Sequence, residues 1–72
     1  MQSTDVVLVT VNGEPRELRA GLTVADLLDE LGLHPGLVVV EHNRQILERS
    51  RVPDIEVRTG DVFEIVHFVG GG

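Results

Sequence analysis

L-T-V-A-D-L-L-D-E-L-G-L-H-P, residues 22–35, is the stretch that decides the fold. Val24, Leu27, Leu28 and Leu31 fall at i, i+3, i+4 and i+7, which makes one apolar stripe along a short helix. Thr23 stands where an N-cap is wanted, and Asp26, three residues on, comes close to a capping box. Leu22 and Leu27 have the spacing of a hydrophobic staple. Gly32 occupies the position where left-handed backbone ends a helix, with Leu33 set to meet Leu28 as in a Schellman motif. Pro35 blocks continuation. Asp26, Asp29 and Glu30 lie off the stripe. A helix is expected over about 23–32. No second helical pattern is found, and one stripe can cover one face of one sheet.

The flanking segments read as strands. Residues 5–11 (D-V-V-L-V-T-V) are a β-branched run, and Asn12-Gly13 after them is a strong hairpin signal. A second strand is expected over 15–19, with Pro15 at its start and hence near a sheet edge. Residues 37–41 form a third strand, Asn43-Arg44 a turn, and 45–48 a short return strand. Residues 50–54 are expected to be irregular around Pro53, and 56–57 to be a brief strand. Thr59-Gly60-Asp61 is a turn, and 62–69 the last and longest apolar strand. The order is hairpin, helix, strand, short strands, final strand. The Val-rich first and last strands are the candidates for the sheet centre, side by side and parallel. This predicts an α+β, ubiquitin-like β-grasp fold: a mixed four- to five-stranded sheet covered on one face by a single helix. A ferredoxin-like layout needs two helices. The expected organisation is one domain over 1–69 and a flexible tail over 70–72.

Alternation by two assigns the faces. Val7, Val9, Val11, Val38, Val40, Phe63 and Ile65 are expected to face the helix. Glu64 marks the other side as wet, since an unpaired carboxylate is costly to bury. That side stays apolar for an open face: Val6, Leu8, Val39, Val62, Val66 and Phe68 are the candidate partner-docking residues.

Phe68-Val69 runs into Gly70-Gly71-Gly72. Glycines cost the most entropy to order and pack nothing, so three of them after an apolar strand do not stabilise a fold. An unhindered terminal carboxylate is what an enzyme needs when it threads a peptide end into a narrow site and activates its carboxyl carbon. Gly72 is the reacting residue on this reading, with Gly71 and Gly70 as its stalk.

Composition narrows the alternatives. Net charge is −6, with two aromatic residues, so neither phosphate-backbone binding nor base stacking is favoured. It suits docking onto a basic protein surface. Cysteine is absent, which removes thiolate nucleophiles, disulfides and Cys-based metal sites. No signal peptide or membrane span is visible, so a cytoplasmic location and no membrane partner are expected. The six basic residues are all arginine; without lysine the chain offers no side-chain amine to attack an activated acyl group. His34, His42 and His67 lack the close spacing of metal ligands, and His34 is expected to titrate freely in solvent. No catalytic constellation emerges. The protein is read as a non-enzyme, with no metal and no bound cofactor, and as a monomer when free.

The segments V-N-G-E (11–14), L-T-V-A-D-L-L (22–28), V-V-V-E-H-N (38–43), T-G-D (59–61) and E-I-V-H-F-V-G-G-G (64–72) resemble, in order and along nearly the whole chain, the ThiS family of sulfur carriers of thiamin biosynthesis. The resemblance implies a β-grasp protein whose terminal glycine, here Gly72, is adenylated with ATP by an E1-like, ThiF-type enzyme. A sulfur donor such as a cysteine desulfurase then supports its conversion to a thiocarboxylate. A ThiG-type thiazole synthase takes the sulfur. Two departures are noted: His42 stands where an apolar strand residue is expected, and Gly70 lengthens the Gly-Gly end. The chain is also similar to the MoaD-like small subunit of molybdopterin synthase, and to other sulfur carriers and ubiquitin-like modifiers. A carrier of that kind remains the alternative.

Overall fold

The computed structural model describes residues 5–68. Five strands, β1 (Val6–Val11), β2 (Glu14–Arg19), β3 (Val38–His42), β4 (Gln45–Leu47) and β5 (Val62–His67), form one sheet in the order β2-β1-β5-β3-β4. β5 lies parallel to β1 and antiparallel to β3. The remaining pairs are antiparallel hairpins. This is the expected β-grasp arrangement, with the first and last strands inside the sheet.

The single helix, α1 (Val24–Glu30), begins and ends as its sequence dictates. Asp26 N–H donates to Thr23 Oγ1 at 3.2 Å, and Thr23 N–H donates to Asp26 Oδ2 at 2.9 Å, closing a full capping box. At the other end Gly32 takes φ 74°. Leu33 N–H reaches the Leu28 carbonyl at 2.9 Å and Gly32 N–H the Asp29 carbonyl at 3.0 Å, the two bonds of a Schellman motif.

The core lies between α1 and the sheet. Phe63, Leu27, Leu28 and Val24 are fully buried, joined by Val9, Val11, Leu18, Val38, Val40, Val57 and Ile65. Every β1, β3 and β5 residue assigned inward is buried or half-buried.

Four local expectations are corrected. Residues 50–54 are not irregular: Arg49–Asp54 winds into a 3-10 helix that buries Val52 against the core, because Pro53 fits a tight helix while lacking only a donor. Residues 56–57 form no strand; Glu56 makes one isolated bridge to Thr23. β3 starts one residue late, since Pro35–Leu37 forms a 3-10 turn. His34 is not simply solvated: its Nδ1 accepts the Gly36 N–H at 2.9 Å and caps that turn.

Candidate functional site

The expected site is the end of β5 together with the glycine tail. Val69 and Gly70 to Gly72 lie outside the described residues, so the roles assigned to them concern sequence alone. What the structure supplies is their mooring. Phe68 N–H donates to the Leu37 carbonyl at 3.0 Å, which prolongs the β3–β5 ladder to the last described residue. Phe68 itself is 56% exposed.

Two asparagines hold β5 in place from either side. Each opens a two-residue hairpin turn with both central residues at positive φ: Asn12 (51°) with Gly13 (82°), and Asn43 (52°) with Arg44 (73°). Asparagine tolerates left-handed backbone better than most residues. Asn12 also uses its side chain as a strand would use its backbone. Ile65 N–H donates to Asn12 Oδ1 at 2.7 Å, and Asn12 Nδ2 donates to the Ile65 carbonyl at 3.2 Å. The short β1–β5 pairing, Thr10 to Val62 and Val11 to Phe63, is thereby carried past the end of β1. Asn43 mirrors it: Val62 N–H donates to Asn43 Oδ1 at 2.8 Å, and Asn43 N–H to the Val62 carbonyl at 2.8 Å.

Asp61, at the entry to β5, is the buried acid of the described residues. It accepts from Arg58 N–H at 2.9 Å and from Asn43 Nδ2 at 3.1 Å, and lies 3.2 Å from His42 Nε2. Burial pushes its carboxyl up, but the Arg58 N–H, the Asn43 amide and His42 outweigh that and hold it below the usual aspartate value. His42 is thus explained. Its ring stacks on Phe63, its partner across the strands, at 5.0 Å between centroids, while its edge meets Asp61.

The sheet face away from α1 carries all six residues named as candidates for docking. Val6, Leu8, Val62, Val66 and Phe68 are exposed and Val39 is half-buried. Val39 and Val66 are direct cross-strand neighbours. Leu37 and Ile46, which sequence reasoning did not include, are exposed too, at 59% and 69%. Ile46 faces Glu41 across β3–β4, so it lies on this same open side. The alternation of β4 was the available signal, too short to use. Glu41 and Glu64 stand directly opposite each other on this face. Like charges in that position are unfavourable, and a basic partner group relieves them. Among the described residues no three His, Asp or Glu side chains gather as a metal site, and no helix is long and apolar enough to cross a membrane.

Known proteins share both this sequence and this geometry. The ThiS family model matches residues 9–72. The chain is 40% identical over 65 residues to the "Sulfur carrier protein ThiS" of Thermus thermophilus, covering 90% of this chain and all of that one. It is 44% identical over 64 residues to the "Thiazole synthase" of Paramagnetospirillum magneticum, covering 89% of this chain and 20% of that protein. The chain therefore spans about a fifth of the length of the thiazole synthases it matches. Among solved structures, the crystal structure of the thiamine biosynthesis protein ThiS from Geobacter metallireducens superposes with a TM-score of 0.79 at 36% identity, over 92% of this chain and all of that one. A designed protein based on ubiquitin shares the fold at a TM-score of 0.51 and 20% identity. The match to the family model takes in the helix, the parallel β1–β5 seam and the glycine end together, and the chain belongs to the ThiS family.

Proposed function

We propose that this protein is the sulfur carrier for thiazole formation in thiamin biosynthesis, and that the carboxyl of Gly72 is its working group. The observation that carries the reading is the family match running to Gly72, with relatives whose names are sulfur carrier and thiazole synthase. The chemistry agrees with it. A carboxylate is a poor acyl donor. Transfer of AMP from ATP by a ThiF-type enzyme gives the Gly72 carbonyl a good leaving group. Sulfur from a donor such as a cysteine desulfurase then replaces AMP, leaving a thiocarboxylate. The thiocarboxylate sulfur stays nucleophilic and is handed to a ThiG-type thiazole synthase. Attack on the carbonyl is least hindered at glycine, which has no Cβ. With no cysteine in the chain, the C-terminus is where sulfur is held.

The protein acts as a co-substrate of these enzymes, without catalytic groups of its own, as a monomer in the cytoplasm where ATP is supplied. The folded part, 1–69, presents the tail, 70–72. Val6, Leu8, Val39, Val62, Val66 and Phe68 form the docking face, and Glu41 and Glu64 at its centre select a partner with arginine or lysine. Incubation with a ThiF-type enzyme, ATP and a sulfur donor tests the reading. Intact mass should rise by the difference between sulfur and oxygen, and fragmentation should place it on Gly72. An unchanged mass, with an enzyme active on another ThiS-type carrier, overturns it.

A further inference from the structure

We propose that Arg49 is a guarded position: it keeps a positive charge beside the root of the tail while denying the activated Gly72 carbonyl an amine to react with. The inference deepens the carrier reading and rests on it. Three observations meet here. The chain has six basic residues and no lysine. Arg49 and Phe68 line the same shallow groove, of about 130 Å³, with Pro35, Val38 and Val39. Phe68 is fastened to Leu37, so the tail starts from a fixed point. Residues 69–72 reach at most about 14 Å beyond it, which brings position 49 within range of the terminal carbonyl.

The two cations differ in what they do to an acyl adenylate. The arginine guanidinium stays protonated and is no nucleophile at working pH. A lysine amine exchanges its proton and attacks activated carbonyls. At position 49 it would do so within the same molecule, at an effective concentration of order mM. The step balances without any redox partner. The amine nitrogen bonds to the Gly72 carbonyl carbon, and the C–O bond to the AMP phosphate breaks. AMP leaves with the electron pair, and the amine proton passes to water. The product is a looped internal amide, lighter than the free chain by one water and unable to carry sulfur.

Arg44 supplies the geometric control. It sits in the turn beside Val62, at the far end of β5. Six residues of strand, about 20 Å, separate Val62 from Phe68. The test is intact mass after incubation of wild type, Arg49→Lys, Arg49→Gln and Arg44→Lys with a ThiF-type enzyme and ATP, with and without a sulfur donor. ATP–pyrophosphate exchange is followed in parallel. R49K is expected to accumulate the internal amide, linking residue 49 to Gly72. Its rate should rise about tenfold per pH unit below the lysine pKa of about 10.4. Wild type and R49Q should give none, and R44K at least about tenfold less than R49K. Normal exchange by R49K without the amide overturns the inference and leaves the carrier reading standing. Equal amide from R44K and R49K overturns the assignment to position 49. No exchange by wild type overturns the carrier reading and the inference with it.

Discussion

Replacing Asn12 by alanine should cost more stability than an exposed turn residue ordinarily carries. Two separable losses occur at once. The Ile65 N–H and carbonyl lose their partners at 2.7 and 3.2 Å in a part-buried seam, at about 1 kcal/mol each. Alanine is also held at φ 51°, in left-handed backbone that costs about 1 kcal/mol or more for a residue with a Cβ. The sum is about 3 kcal/mol, a large share of the roughly 4–11 kcal/mol available to a chain of this size. Asn12→Gly divides it, since glycine adopts the same φ freely and loses only the two bonds, about 2 kcal/mol. Urea titration followed by far-ultraviolet circular dichroism measures both. With a slope near 1 kcal/mol/M, midpoints should fall by about 3 M for N12A and about 2 M for N12G, at unchanged slope. Amide exchange at Ile65 should accelerate in both. Shifts below about 0.5 M in both variants, or N12G falling further than N12A, would refute the claim that the side chain completes the β1–β5 seam.

Asp61 gives a pH prediction. Its carboxyl titrates lower when folded than when unfolded, so its contribution is fully present above the ordinary aspartate range and is lost as pH falls through the lower, folded value. Asp61→Asn should be less stable than wild type at neutral pH, and the gap should narrow on acidification; a constant gap contradicts this. Glu64→Gln removes the opposed acid pair on the open face. It should stabilise the free protein by about 0.2–1 kcal/mol in thermal melts while weakening binding to the adenylating enzyme in calorimetry. Unchanged affinity would count against a basic partner group there. Thr23→Ala loses the capping box and should cost about 1 kcal/mol in the same melts. A neutral result would mean that packing alone fixes the start of α1.

Much of this architecture was legible because its signals are local. Thr23, Asp26, Gly32 and Leu33 each fix a helix end through contacts within five residues, and each is seen doing so. Strict alternation through Val7–Val9–Val11 and Phe63–Ile65 set the two faces of the sheet. What escaped depends on distant partners. The 3-10 helix Arg49–Asp54 exists because Val52 finds the core, and nothing in R-S-R-V-P-D announces that. His34 reads as a loop residue until its ring is seen turning back on Gly36. The side-chain bonds of Asn12 and Asn43 span 53 and 19 residues, so a turn signal could not reveal that they also clasp β5. His42 looked out of place because its partner, Asp61, comes from another strand's entry. On the open face, the six apolar residues named from the sequence are accessible, while Ile46 lay in a strand of three residues, too short for a period to show. The glycine end was read from chemistry, with no contact to assist.

The central claim is that the carbonyl of Gly72 receives AMP and then sulfur. Its most direct test compares the chain ending at Gly72 with one carrying a single tryptophan after it, both incubated with a ThiF-type enzyme, ATP and a sulfur donor and weighed intact. The first should become a thiocarboxylate, mapped to Gly72 by fragmentation, and the extended chain should stay unmodified. Sulfur on the extended chain, or on any residue other than Gly72, would contradict the account.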